Sequence, residues 1–478
     1  MMAAHRVVSV AALAVTMLVA AASAQVPDSI PPAPDAAALD PDSMLAASAI
    51  GTASLPRALL PDLSGLGGYH DTLGLRIEIG ARADVTNEEY VSYDDAFVDT
   101  TFQVRKLVST PERRYAGVLT TLLQGTRNGQ ATRYELRNDL SLGNLIQRGA
   151  LGLAWRSEIG VDWDLFAAPY VEYRHDRTFD RDRQEVRGGM SARLRRALRP
   201  ATTFVEAGSR LESVRTRGEG ANYLLDRDAA TLALGIEHLG LLGDEWRFDY
   251  GLTGRQFPDS ATRDHLEHAG GLMVRRDFSG GHLASLDGRL VRRSTVRPTD
   301  VSRDNYWAGE ASAAADARLQ PGWLLRSRVD AEGVRYDVED DTLYFNFHIL
   351  RGRLGLRFDR DARWNLTVGP RVERLESPLS PSDAYFELAG TVELEILARG
   401  TWWSVTPALG RRRYDEVPGT AALLSSYDFI EVGAFADQAL GGGLRARGMG
   451  SWRHELHDDE TQDARSLYVS LEVVWAPR

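Results

Sequence analysis

The chain has 478 residues, 43% hydrophobic and 26% charged, with a formal net charge of −11 and no cysteine. The acidic balance argues against nucleic acid as a partner, because phosphate binding needs a basic face. Without cysteine there is no disulfide scaffold and no lipid-modified N-terminal cysteine, so stability outside the cytoplasm has to come from burial or from a membrane.

His5 and Arg6 open the sequence, followed by an apolar run from Val7 to about Ala22 and the triplet Ala22-Ser23-Ala24 before Gln25. A basic start, a short apolar stretch and an A-x-A site make residues 1–24 a secretory signal peptide. The run is short for a retained membrane helix. Residues 25–70 have another texture: Pro27, Pro31, Pro32, Pro34 and Pro41 sit among Ala, Asp and Ser with no period-2 pattern. That composition reads as a flexible Pro/Ala-rich linker, placed in the periplasm. Beyond it no stretch reaches the ~20 apolar residues that a membrane helix requires.

From residue 71 to 478 the pattern is all-β. Leu73, Leu75, Ile77, Ile79, Ala81, Ala83 and Val85 alternate with Gly74, Arg76, Glu78, Gly80, Arg82 and Asp84. Successive strand residues point to opposite faces, so this segment has one apolar face and one charged or small face. The same grammar recurs at Trp246-Phe248-Tyr250-Leu252, from Phe386 to Ile396, and in the final Leu467-Val469-Leu471-Val473-Trp475. These strands match the ~9–11 residues of a tilted spanning strand, not the ~5–6 of a globular one. So large an exposed sheet is safe only when closure removes its edges.

The connections alternate in the C-terminal half. Tight ones are Phe278–Gly281, Gln320–Trp323, Ala398–Thr401 and Leu440–Gly443; looser ones lie around Pro298 to Arg303, Val338 to Thr342, Ser377 to Asp383 and His457 to Asp463. Aromatics flank the tight turns (Trp246, Phe278, Trp323, Phe358, Trp364, Trp402 and Trp403), as in an interfacial girdle. On this pattern the region resembles a porin-like bacterial outer-membrane β-barrel, with no particular family within that class. The resemblance implies a transmembrane antiparallel up-and-down barrel in the outer membrane of a Gram-negative-type envelope, with short turns in the periplasm. One departure is that Ala476, Pro477 and Arg478 follow Trp475, where such barrels commonly end on an aromatic residue. Segmentation gives about 21 candidates, but such barrels have even strand numbers, so about 20 are expected, with 18 and 22 as alternatives. The conflict lies between residues 98 and 180, where the turns near Pro111, Asn144 and Asp164 cannot all lie on the periplasmic side.

The charged faces supply the lumen-lining candidates: Arg76, Glu78, Arg82, Asp84, Arg326, Arg328, Asp330, Glu332, Arg371, Glu373, Glu393 and Glu395. Their mixed signs give no preference for anions or cations. The candidate groups for catalysis or metal binding are His454 and His457 beside Asp458, Asp459 and Glu460, and separately Asp264, His265 and His268. Residues three apart on a strand point oppositely, so His454 and His457 do not make a metal pair. Acidic clusters at Asp94-Asp95, Glu339-Asp340-Asp341 and Asp458-Asp459-Glu460 read as solvated loop charge. No cofactor, metal or catalytic set is expected. The function expected is a channel or transport barrel for small polar solutes, with outer-membrane lipid, lipopolysaccharide and the barrel-assembly machinery as partners. The alternatives are a barrel hydrolase acting on lipid or peptide and a structural or anchoring barrel.

Overall fold

The computed structural model describes residues 72–476 except 95–102, 109–111, 128–130, 178–181, 199–201, 220–225, 241–242, 298–304, 339–345, 362, 379–382, 399 and 416–423. The signal peptide and linker expected over 1–70 lie outside the described residues.

The strands, in chain order, are Thr72–Asp94 (β1), Gln103–Val108 (β2), Glu112–Arg127 (β3), Thr132–Gly143 (β4), Ile146–Ile159 (β5), Trp163–Asp176 (β6) and Asp182–Leu198 (β7). Next come Thr203–Glu219 (β8), Arg227–Leu239 (β9), Asp244–Gln256 (β10), His265–Phe278 (β11), His282–Thr295 (β12), Tyr306–Gln320 (β13) and Trp323–Tyr336 (β14). The last seven are Phe347–Asp361 (β15), Trp364–Glu376 (β16), Tyr385–Ala398 (β17), Thr401–Tyr414 (β18), Tyr427–Gly441 (β19), Leu444–His457 (β20) and Ala464–Trp475 (β21). Each pairs antiparallel with its neighbour, and β21 closes on β1 from Ile79 opposite Trp475 to Glu89 opposite Arg465.

β2 and β3 pair with the same edge of β1, opposite Glu89–Asp94 and Thr72–Thr86 respectively. They run the same way and form one stave, with one extra residue between Val108 opposite Glu89 and Glu112 opposite Thr86, and the closed cylinder has 20 staves. Pro111 itself lies outside the described residues. This resolves the conflict between residues 98 and 180. No reversal separates β2 from β3, Asp164 follows a tight turn, and the Asn144 turn belongs to the opposite end of the barrel.

One end, here the turn end, carries connections of two to four residues, including Pro321-Gly322 and Gly442-Gly443. Gly322, Gly442 and Gly443 have φ of 80°, 60° and 84°, a region that side-chain-bearing residues avoid. Longer connections lie at the other, loop end, with one exception: β4 and β5 are joined there by Asn144 and Leu145 alone. Asn144 Oδ1 accepts from the Tyr115 N–H at 2.9 Å and Nδ2 donates to the Arg113 carbonyl at 3.1 Å. One side chain thus satisfies backbone that β4 is too short to reach.

The loops also share a clasp at the base. The residue just before a descending strand accepts, through its side chain, a backbone N–H from the preceding strand or its end. Asp226 accepts from Thr216, Asp264 from Phe257, Asn305 from Thr295, Asn346 from Tyr336, Ser426 from Tyr414 and Asp463 from His457, at 2.6–3.1 Å. Short oxygen-bearing side chains suit this position because they reach local backbone donors.

Residues directly opposite in an antiparallel ladder share a face. On one face stand Leu232, Leu409 and Leu471, 65%, 64% and 58% exposed, with similar side chains on every side. Fully buried apolar residues are few, among them Val214, Tyr385, Tyr427 and Phe429. The barrel is therefore inverted relative to a globular protein, apolar outside and charged inside, and it is completed by lipid. From Phe386 to Ile396, ten residue-to-residue steps along β17, the outward apolar band is about 25 Å tall after allowing for tilt, the thickness of an outer-membrane band.

All seven aromatics expected in the girdle sit near the turn end. Trp323, Phe358 and Trp364 follow one another outward, with ring centroids 4.9 and 5.5 Å apart. Trp403 stands opposite Ile396 on the same face. Trp402 takes the opposite parity and packs on Phe435, 4.7 Å away, on the inner wall.

Candidate functional site: the inner wall

The inner wall is built by parity alone, so each sequence candidate can be located from the register. Arg76, Glu78, Arg82 and Asp84 share the inner face of β1, where Arg76 pairs with Glu78 and Arg82 with Asp84. Across the closing seam Arg82 stands opposite Glu472. On β14, Arg326 pairs with Asp316 at 3.5 Å and Arg328 with Asp330 at 2.9 Å. Glu332, Arg371 and Glu373 join the larger network described next. Glu393 and Glu395 make no hydrogen bond or ion pair among the described residues; Thr367 stands opposite Glu393, and Asn365 and Ser404 opposite Glu395.

The dominant cluster centres on a residue outside that set. Glu387, on β17 near the loop end, is 2% exposed. Its Oε1 accepts from Arg371 at 2.9 Å, and its Oε2 accepts from Arg412 at 3.0 and 2.7 Å. Arg453 comes within 3.8 Å. Each arginine in turn meets a second carboxylate: Arg371 and Arg453 meet Glu431, and Arg412 meets Glu373. Aromatic rings complete the desolvation. Arg412 lies 3.9 Å over the Tyr385 ring and Arg453 4.4 Å over Phe429. Tyr385 donates to Glu373 at 2.5 Å, and Arg351 links Glu373 to Glu332. A buried carboxylate is tolerable only when so fully paired. The network braces β14 to β20 into a rigid shelf on one side of the wall.

Below that shelf the register sets like charges together. Arg353 on β15 stands directly opposite Arg328 and Arg371. Arg353 is exposed, with no recorded partner among the described residues, whereas both neighbours are paired to acids. Opposed like charges are unfavourable unless water or an anion separates them.

The histidines of each sequence cluster point to opposite faces of the wall. His454 faces outward and His457 inward, as strand parity requires. His457 Nδ1 lies 2.9 Å from Ser425 Oγ and its Nε2 lies 3.5 Å from Glu455. The Ser425 hydroxyl also donates to the Gln462 side-chain Oε1 at 3.1 Å, and the Ser425 N–H donates to the same atom at 3.0 Å, which ties the loop base to the rim. Asp264 is a clasp residue, His265 is buried on the inner face against Phe257, and His268 faces out beside Tyr250. Asp458 pairs with Arg411, and Asp459 caps the turn at Thr461. Glu339-Asp340-Asp341 lies outside the described residues, as does Asp95. Among the described residues no group of three acidic, histidine or cysteine side chains is placed to hold a metal.

No protein-family model matches the sequence, and no curated protein does. Solved structures do resemble it in fold. The copper transporter OprC aligns over 84% of this chain and 80% of its own, at 10% identity and a TM-score of 0.51. The siderophore receptor PirA from Pseudomonas aeruginosa aligns over 83% and 80%, at 11% identity and a TM-score of 0.48. OprD from the same organism aligns over 88% and 99%, at 11% identity and a TM-score of 0.42. At these identities the likeness is one of fold, that of the outer-membrane β-barrel.

Proposed function

We propose that this outer-membrane barrel is a porin-like channel for small polar solutes, with its turn end in the periplasm and its loop end outside the cell. The observation that carries the reading is the width of the cylinder formed by the described staves. Among the described residues the staves pack against their neighbours around the cylinder and not across it. Twenty staves at ordinary strand spacing and tilt make a cylinder about 40 Å across, far wider than side chains fill. The wall is wetted by charges of both signs, which suits polar solutes without a strong overall preference. Residues 1–24 are read as a cleaved signal peptide and 25–70 as a periplasmic linker.

Planar-bilayer recording tests the reading. Purified protein should insert in discrete steps of constant, ohmic conductance. A barrel that inserts, verified by heat-shifted gel migration, yet conducts nothing would overturn it.

A further inference from the structure

Two outward-facing rows at the loop end repeat one arrangement. Arg292 on β12, Trp307 on β13 and Arg335 on β14 stand directly opposite one another. Four staves further on, Arg374 on β16, Phe386 on β17 and Arg413 on β18 do the same. In each row the first arginine is already engaged: Arg292 grips Asp337 at 2.6 and 2.5 Å, and Arg374 grips Asp415 at 2.9 and 2.7 Å. The second arginine is not. Arg335 and Arg413 are exposed and make no hydrogen bond or ion pair among the described residues. Each nevertheless lies two positions before one of those aspartates, in Arg335-Tyr336-Asp337 and Arg413-Tyr414-Asp415.

The consequence is an electrostatic pattern laid down twice. Both oxygens of each aspartate accept from the distant arginine, and Arg335 shares only the field of Asp337, so the second guanidinium of each row keeps its hydrogen-bond donors unused among the described residues. That guanidinium stands beside a ring that is 45% (Trp307) or 44% (Phe386) exposed on the lipid-facing side. A guanidinium fork matches two oxygens of a phosphate, and an aromatic ring at this level sits between headgroups and acyl chains. We infer that Arg335 and Arg413 each seat a phosphate of an outer-leaflet lipid, with Trp307 or Phe386 lying against the chains beneath. The inference goes beyond the channel reading and rests only on its orientation, loop end outward.

Native mass spectrometry of the full barrel, with bisphosphorylated lipid A or the same lipid dephosphorylated as the probe, tests it. Wild type should retain two lipid A molecules, and Arg335→Gln and Arg413→Gln should each remove one. The double variant should bind about tenfold more weakly, and the dephosphorylated lipid should bind no better to wild type than to the double variant. Equal retention by wild type and double variant, or equal retention of both lipids, would overturn the phosphate seats. Should the glutamine variants not fold, Arg335→Lys with Arg413→Lys keeps the charge and removes the fork, and retention equal to wild type would again overturn them. Orientation is read separately, by surface labelling at each end of the barrel. A reversed barrel would sink the orientation whatever lipid it binds, and an outward loop end without lipid A binding would sink the seats alone.

Discussion

The guanidinium of Arg374, outward on β16, grips both oxygens of Asp415, which follows the last residue of β18, so one ion pair spans the whole of β17. The pairing holds the Asp415 carboxyl below its ordinary range, and Arg292 does the same to Asp337. A lowered carboxylate contributes stability above its unfolded value, near pH 4, and loses it as pH falls through the folded value. Both pairs are well exposed, so each is worth less than about 1 kcal/mol after solvent screening. Loop-end amide exchange in Asp415→Asn should therefore exceed wild type at pH 7 and equal it well below pH 4. A difference that persists in acid would mean the clamp does not act through this charge.

Glu387 holds three arginines on the inner wall. Glu387→Ala leaves those guanidiniums facing one another and should cost about 3 kcal/mol, within the range for a broken buried pair. Denaturant unfolding of vesicle-embedded protein, followed by tryptophan emission, measures it. Glu387→Gln should fall between, because it keeps hydrogen-bond acceptance and loses charge. A midpoint unchanged in the alanine variant would remove the cluster from the stability of the barrel.

Arg353 stands between Arg328 and Arg371 on a wall that otherwise mixes its signs. Arg353→Glu should move the reversal potential of the channel in a salt gradient toward cation selectivity, with a smaller shift for Arg353→Gln. A reversal potential unmoved by charge inversion would place Arg353 away from the permeation path.

The chain has no cysteine, so single substitutions label cleanly. Glu460→Cys at the loop end should react with a membrane-impermeant maleimide on intact cells, whereas Gln320→Cys at the turn end should react only after the outer membrane is permeabilised. The opposite pattern would invert the barrel.

Much of this architecture is legible in the sequence because alternation is a local property. Leu73 to Val85 announces a stave with one wet face, and the intra-strand pairs Arg82–Asp84 and Arg328–Asp330 follow from two-residue spacing alone. What escapes is height. Nothing near Pro111 says that β2 and β3 run on as one stave, and Asn144 resembles any tight turn until the longer β3 beside it is seen. The Glu387 cluster is hidden for the same reason. Its partners Arg371, Arg412 and Arg453 lie on separate staves, and only the register brings them level. The repeated Arg-Tyr-Asp is plain in the letters, but the distant arginine that each aspartate grips is not.

The clasps at the loop bases have a consequence for how such a protein can change. Asn305, Asn346, Ser426 and Asp463 fasten each strand to the next at the rim, and Asp337, Asp415 and Asp458 just beyond the strand ends add clamps to more distant strands, so the register at the loop end is held by residues at the loop bases. On the proposed orientation, lengthening or exchanging the chain between these bases should leave the alignment of the wall beneath unchanged. Variation in the loops and constancy of the cylinder are thereby assigned to different residues.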